Sequence, residues 1–96
     1  MLPERNVWVF NSGERGFPGG IFTDRTVADV WIATHRLTGV LTAYPIDEGC
    51  YDFAVRNGLL SSRAFEQNKD NATFIGSFSS ASLEHFHYED GKCLSG

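Results

Sequence analysis

One short stretch near the start of the chain decides the fold: residues 7–10, Val7-Trp8-Val9-Phe10. Both alternating positions of this stretch are β-branched or aromatic, which is typical of a strand covered on both faces. We therefore expect it inside a sheet rather than at an edge. The glycine-rich segment 11–20 predicts a turn, after which a second strand through Ile21 forms a hairpin with the first.

The element after this hairpin is predicted to be an amphipathic helix. Thr23 is the candidate N-cap, and Asp24 adds a negative charge to the first turn, where the helix dipole favours it. Gly39 is placed to stop the helix. The positions expected to face the core follow a three-and-four spacing: Val27, Val30, Trp31, Thr34 and Leu37.

The remainder of the chain predicts a strand, two helices and a last strand. The third strand covers 40–44 and is closed by Pro45, and a second helix begins at Asp47 as its cap and runs to about Asn57, with Gly58 as its left-handed stop. Segment 61–71 is interpreted as a loop, followed by a short helix over 72–78.

The tail 83–89 predicts a final strand, because aromatic residues alternate there with histidines before the turn Asp90-Gly91. The predicted order is β-β-α-β-α-(short α)-β. This order indicates a two-layer α+β fold with a small mixed sheet of about four strands and two main helices packed mainly on one face. If the first helix crosses over between the second and third strands, the first strand lies between them.

Several segments resemble a small bacterial family of unknown function. They are Val7-Trp8-Val9-Phe10, Phe17-Pro18-Gly19-Gly20 with Phe22, Leu37-Thr38-Gly39 with Leu41-Thr42, Tyr44-Pro45-Ile46-Asp47, Tyr51-Asp52, Asn57-Gly58, Phe78-Ser79-Ser80-Ala81-Ser82 and Glu84-His85-Phe86-His87-Tyr88-Glu89. The likeness covers most of the chain, and the last two segments are its most specific feature. It implies a bacterial, single-domain protein and assigns no activity or site.

Composition limits the classes of function. A length of 96 residues allows one domain, residues 1–96, and a formal net charge of −4 disfavours general attraction to nucleic acid or to anionic lipid. The sequence contains neither an apolar segment typical of a secretory signal nor one long enough to span a bilayer. We therefore expect a cytoplasmic protein, with the pairing of Cys50 and Cys93 left open.

The pair His85 and His87 is the sharpest candidate for a metal site. Residues two apart in a strand point to the same side, so two imidazoles there can share a divalent metal. A third ligand is still needed, and His35, Glu84, Glu89 or Asp90 are the candidates. The alternative, which we prefer, is that the histidines lie on a polar sheet face, or that they hydrogen-bond to Ser79, Ser80 or Ser82 and order the preceding turn.

Two other patterns are weaker signs of chemistry. Cys50 lies near the start of the second helix, where amide groups favour a thiolate, but its acidic neighbours oppose it and a core position is the simpler interpretation. The glycine segment differs from a phosphate-binding loop because it joins two strands and lacks Lys-Ser or Lys-Thr. We therefore name no catalytic residue and no required cofactor.

Two acidic stretches with neighbouring tyrosines form the candidate surface for a partner. Its residues are Asp47, Glu48, Tyr51, Asp52, Glu84, Tyr88, Glu89 and Asp90. Converging carboxylates and exposed aromatics suit a basic protein partner, because charge speeds encounter and aromatic contacts hold the complex. The leading hypothesis is a non-enzymatic binding module of inhibitor or immunity type for a toxin or enzyme. The alternatives are a metal-binding or metal-sensing protein and a homodimer formed through a sheet edge.

Overall fold

The computed structural model describes residues 1–13 and 16–94. The elements in these ranges are β1 (Asn6–Asn11), β2 (Gly20–Phe22), α1 (Arg25–Thr34), β3 (Gly39–Pro45), α2 (Cys50–Arg56), α3 (Ser62–Asn68), α4 (Ala72–Ser77), β4 (His85–Glu89) and β5 (Lys92–Cys93). The strands form one sheet in the order β2-β1-β3-β4-β5. The α+β class is confirmed, but this part of the chain has five strands rather than about four, and their pairings are antiparallel rather than mixed.

The position of β1 inside the sheet is as predicted, but the expected cover of both faces is not: Val7 and Val9, on the face away from α1, are only half-buried. Trp8 pairs with Phe22 of β2 on one side and with Ala43 of β3 on the other. Because both neighbours are antiparallel to β1, β2 and β3 run parallel to each other and α1 connects them across β1. The glycine turn before β2 includes Glu14 and Arg15, which lie outside the described residues.

Both predicted ends of α1 need correction. Asp24 rather than Thr23 is the N-cap, since its carboxylate accepts a hydrogen bond of 2.8 Å from the amide two residues on. At its other end the helix is terminated by Arg36, which follows the C-cap His35 and has a left-handed backbone conformation with φ of 52°. Gly39 instead begins β3, where it is needed for another reason: a Cβ there would lie 2.4 Å from the carbonyl oxygen of Asn11.

The buried side of α1 also differs from the prediction. Ala28 and Ile32 are fully buried against the sheet, and Trp31 is partly buried, whereas Val27 and Val30 are 55% and 62% exposed. Apolar residues occupy most of the circumference of this helix, so their spacing alone does not select one side. The helix is rotated so that its largest flat side chain, Trp31, reaches the edge of the sheet.

The sequence predicted correctly where α2 ends, but not where it begins. It also did not predict the following helix, α3. Gly49 is the N-cap, while Asp47 has a φ of 61° and lies in the preceding turn. Gly58 has the expected left-handed conformation, with φ of 68°. The predicted loop 61–71 instead contains α3, whose first turn is capped by the Ser61 hydroxyl, which accepts from the amide of Ala64.

The predicted short helix over 72–78 is confirmed as α4, and the turn Asp90-Gly91 leads from β4 into β5.

The apolar residues form two groups. One joins the sheet to α1: Trp8, Phe10, Ala28, Ile32, Leu41, Ala43, Phe86 and Tyr88. The other includes Tyr51, whose ring lies edge-on to Phe74 and Phe78. In the described ranges, no helix is long and apolar enough to cross a membrane.

Candidate functional site

The sheet has one face packed on α1 and one face directed away from it. On the second face, which we call the open face, Val9 pairs with Thr42, and Thr42 pairs with His85 in the next strand. All three side chains are only half-buried. The alternation of β4 is as predicted, because Phe86 is buried on the α1 side while the histidines lie on the open face.

Two shallow depressions meet on the open face at Thr42. One, of about 340 Å³, is lined by Val9, Asn11, Gly16, Pro18, Ile21, Thr42 and Tyr44. The other, of about 220 Å³, is lined by Val40, Thr42, Ser79, Ser80, Ala81 and His85. The glycine-rich loop and the serine turn therefore flank a groove that crosses the middle of the face.

The histidine pair is adjacent, as strand geometry predicts. The rings of His85 and His87 lie edge-to-face with centroids 5.3 Å apart. The Nδ1 of His85 lies 2.8 Å from the carbonyl oxygen of Leu83. Since a carbonyl can only accept, this contact fixes the proton on Nδ1 and leaves Nε2 with the lone pair in the neutral ring.

A third metal ligand does not join this pair. No group of three or more His, Cys, Asp or Glu residues in the described ranges is placed to hold a metal ion. His35 caps the C-terminus of α1 and therefore lies on the other side of the sheet. Structural zinc sites take four protein ligands and catalytic ones three, so the histidine pair alone does not form such a site.

The serine turn is ordered by its own main chain and hydroxyl groups. Ser80 accepts hydrogen bonds at its hydroxyl from the amide of Ser82 and at its carbonyl from the amide of Leu83, both at 3.1 Å. His85 hydrogen-bonds to the carbonyl oxygen of Leu83 and not to a serine. This bond lies just before the start of β4, and the His85 ring lines the groove.

The first acidic stretch is largely neutralised within the chain. Glu48 accepts two hydrogen bonds of 2.9 Å from Arg56, and these bonds hold the pKa of the Glu48 carboxyl below its usual value. Asp47 lies 3.5 Å from Arg5, but both side chains are largely exposed, so this pair contributes little to stability. Asp52 is exposed and forms no ion pair within the described ranges.

The two tyrosines expected at the partner surface are core residues. Tyr51 is 7% exposed and packs among the rings of α4, and Tyr88 is 4% exposed beneath α1. Their assignment to an exposed surface was wrong, because each projects from its element toward one of the two apolar groups. Tyr44 is the half-exposed tyrosine on the open face.

The carboxylates of the second acidic stretch do not lie close to one another. Glu84 lies opposite Ala43 at one end of β4, whereas Asp90 follows the other end, beyond the pair of Tyr88 with Gly39. Six residues of extended chain separate the two carboxylates by ~20 Å. Glu84 and Asp90 therefore lie at opposite ends of β4 and not side by side.

A polar cluster beneath α1 was not predicted, because the positions expected to face the core included neither Arg25 nor Asp29. The guanidinium of Arg25 lies 3.5 Å from the centre of the Phe86 ring and 3.6 Å from Asp29. The hydroxyl of Tyr88 donates to Asp29. Burial first, and then this hydrogen bond, raise the pKa of Tyr88 to about 12. The i,i+4 spacing of Arg25 and Asp29 is the signal that could have identified the pair.

The environment of Cys50 does not favour a nucleophilic thiolate, and no disulfide joins Cys50 to Cys93 among the described residues. Burial raises the pKa of the Cys50 thiol, which is opposite to what a nucleophilic thiolate needs. Cys50 is half-buried in the first turn of α2 and Cys93 lies in the edge strand β5, and no disulfide joins them.

Comparison with known proteins identifies a family and no activity. No curated protein and no solved structure matches the chain. A family model described as a domain of unknown function, DUF7710, matches residues 7–94, which include the core strand, the serine turn and the histidine pair. The match covers nearly the whole chain, and the chain therefore belongs to the DUF7710 family.

Proposed function

We propose that this chain is a non-enzymatic protein-binding module of inhibitor or immunity type, which masks a basic site on a toxin or an enzyme. The observation that carries the proposal is the placement of acidic side chains at both ends of β4. Glu89 and Asp90 form an acidic rim at one end of the open face, and Glu84 lies at the other end of β4, opposite Ala43 on the α1 side. None of these three forms an ion pair with another described residue.

The open face has the composition of an interface centre. Val9, Val40 and Thr42 present half-buried apolar groups beside the acidic rim of Glu89 and Asp90. Protein interfaces commonly combine an apolar centre with a polar, solvated rim. A partner seated on Thr42 would therefore meet the carboxylates of this rim at the border of the open face.

The charge balance favours a basic partner. Four of the cations in the described ranges already pair with acidic residues of this chain: Arg5, Arg25, Arg56 and Lys69. The chain carries a formal net charge of −4. Charges of one sign at an interface rim mainly raise the association rate and fix the orientation of the partner. We place this encounter in the cytoplasm, where thiols such as those of Cys50 and Cys93 are kept reduced.

The test begins with capture of partners from host lysate by the full chain at low and moderate salt, followed by purification of any stoichiometric partner. Binding kinetics are then measured for Thr42→Lys, which blocks the centre of the groove. They are also measured for a rim variant with three charges removed: Glu84→Gln, Glu89→Gln and Asp90→Asn. We expect Thr42→Lys to weaken affinity at least tenfold, and the rim variant to slow association and reduce its salt dependence.

A matched control removes three charges elsewhere on the surface: Glu4→Gln, Glu66→Gln and Asp70→Asn. Both triple variants change the formal net charge from −4 to −1, so a difference between them reports position rather than total charge. Circular dichroism confirms that each variant is folded. Absence of a stoichiometric partner contradicts the proposal, as does a partner whose binding responds equally to the rim and control variants.

A further inference from the structure

The outer side of α1 carries an apolar stripe that the described part of the chain leaves exposed. Val27 and Val30 are more than half exposed, and Thr34 continues the same side of the helix. They line a depression of about 430 Å³ together with Thr26, Trp31 and His35. A solvated helix side usually carries Lys, Glu or other charged residues, and this side has none.

The contacts of α1 show which way the stripe faces. Trp31 contacts Phe22 of β2, with ring centroids 5.4 Å apart, whereas Asp29 reaches Tyr88 of β4 on the opposite side. Val27 and Thr34 lie four residues before and three residues after Trp31, so they flank it on the helix surface. The stripe is therefore on the side of α1 nearest β2.

The strand below the stripe is a sheet edge with which no other described strand pairs. β2 is an edge strand of the sheet, and its middle residue Ile21 is 64% exposed. The strand Gly20–Phe22 contains neither a charged residue nor a proline. The other edge strand, β5, has only two residues and includes Lys92. Natural sheets usually protect an edge with charge, proline or a cover, so β2 is the edge suited to pairing.

We propose that the edge of β2 and the apolar stripe of α1 together form the interface with a second copy of this chain. Antiparallel pairing of β2 with its copy about a two-fold axis extends the sheet and brings the two α1 helices side by side in opposite directions. Such an interface is self-complementary and closes at two copies. A single occupant thus covers both the open edge and the apolar stripe.

The charges at the ends of α1 are complementary in this arrangement. Asp24 caps the N-terminus and Arg36 follows the C-terminus, and neither forms an ion pair within the described ranges. Antiparallel helices bring Asp24 of one copy toward Arg36 of the other. The two helix dipoles are also opposed, which is their favourable relative orientation.

Sedimentation equilibrium of the full chain over a range of concentrations tests the assembly. We expect a mass twice the chain mass of 10.7 kDa for the wild type. The variant Val27→Lys with Val30→Lys is expected to raise the dimer dissociation constant at least tenfold, because it places four ammonium groups in the interface. Lysine is at least as good a helix former as valine, so this variant should remain folded. Val55→Lys on α2 is the matched control and should leave the dimer unchanged.

A cross-link tests the strand pairing itself. Ile21 is the middle residue of β2, so symmetric antiparallel pairing places it opposite its own copy, within the Cα separation of about 5.5 Å that a disulfide needs. Ile21→Cys should give a covalent dimer under mild oxidation much faster than Val55→Cys. A wild-type chain that is monomeric at ~1 mM overturns the proposal, since the interface would then be weaker than about −4 kcal/mol. A dimer unaffected by the two lysines overturns it as well.

Discussion

The variant Tyr88→Phe tests the polar cluster between α1 and the sheet. The Tyr88 hydroxyl donates to Asp29, whose other partner is Arg25 at 3.6 Å. Removing the hydroxyl removes a partly buried hydrogen bond to a charged acceptor and leaves the ion pair in place. The free energy of unfolding at pH 7 is therefore expected to fall by about 1.5–3 kcal/mol.

The pH dependence follows from the raised pKa. Burial and the bond to Asp29 raise the pKa of the Tyr88 phenol from 10.0 to about 12. The unfolded chain therefore loses this proton at lower pH than the folded chain. The stabilisation is complete below the unfolded pKa and is lost as pH rises through the folded pKa. At ~1.4 kcal/mol per pKa unit, the total loss is about 2–3 kcal/mol.

Urea unfolding followed by tryptophan fluorescence measures both effects, because Trp8 and Trp31 belong to this core. The stability difference between wild type and Tyr88→Phe should narrow from about pH 8 to about pH 11.5. Tyr44→Phe on the open face is the matched control for loss of a phenol hydroxyl, and it should change stability at pH 7 by less than ~0.5 kcal/mol. Equal stability of wild type and Tyr88→Phe at pH 7, or a difference that does not narrow, would refute the reasoning.

Two further predictions concern stability and are read from the same unfolding curves. Gly39→Ala should destabilise by more than ~2 kcal/mol, because its Cβ would lie 2.4 Å from the backbone oxygen of Asn11, whereas Gly76→Ala in α4 meets no atom within 4 Å and should stabilise by up to ~1 kcal/mol. Equal effects at the two glycines would contradict this difference. Asn71→Ala should cost about 1 kcal/mol, since the Asn71 side chain accepts the amide hydrogen of Phe74 at the start of α4, and Asn71→Asp should retain most of that stability.

The strands were predicted well because their signals are local. The apolar pattern of residues 7–10 places this strand inside the sheet, and the alternation of β4 separates Phe86 from His85 wherever the strand lies in the sheet. Asp90-Gly91 likewise identifies its turn from two residues. Each of these inferences depends on the chain within a few positions of the residue concerned.

The side of α1 that faces the core was not predictable by the same means. Arg25 lies on the inner side of α1 because its guanidinium packs on the ring of Phe86, 3.5 Å from the ring centre. Phe86 is sixty-one positions later in the chain. That contact and the bond from Tyr88 to Asp29 rotate the helix, and Val30 turns outward as a result. A spacing rule treats charged residues as outer residues and therefore selects the wrong side here.

The candidate site was partly predictable for the same reason. Strand alternation placed His85 and His87 together, but the groove beside them depends on the serine turn and the glycine-rich loop, which reach Thr42 from distant parts of the chain.

The polar segment that forms α3 lacks a long apolar period, so its helix depends on the cap at Ser61 and on two half-buried residues, Ala64 and Phe65.

The two proposed surfaces are compatible because they use different sides of the sheet. A two-fold axis perpendicular to the sheet at β2 keeps both copies of α1 on one side and both open faces on the other. The five strands of each copy would then form one continuous sheet that presents two grooves in the same direction. A partner with two basic sites, or two copies of one partner, would bind such a dimer with avidity, which a single groove does not provide. The lysine variant of α1 should therefore weaken capture of a bivalent partner while leaving the affinity of one isolated groove unchanged.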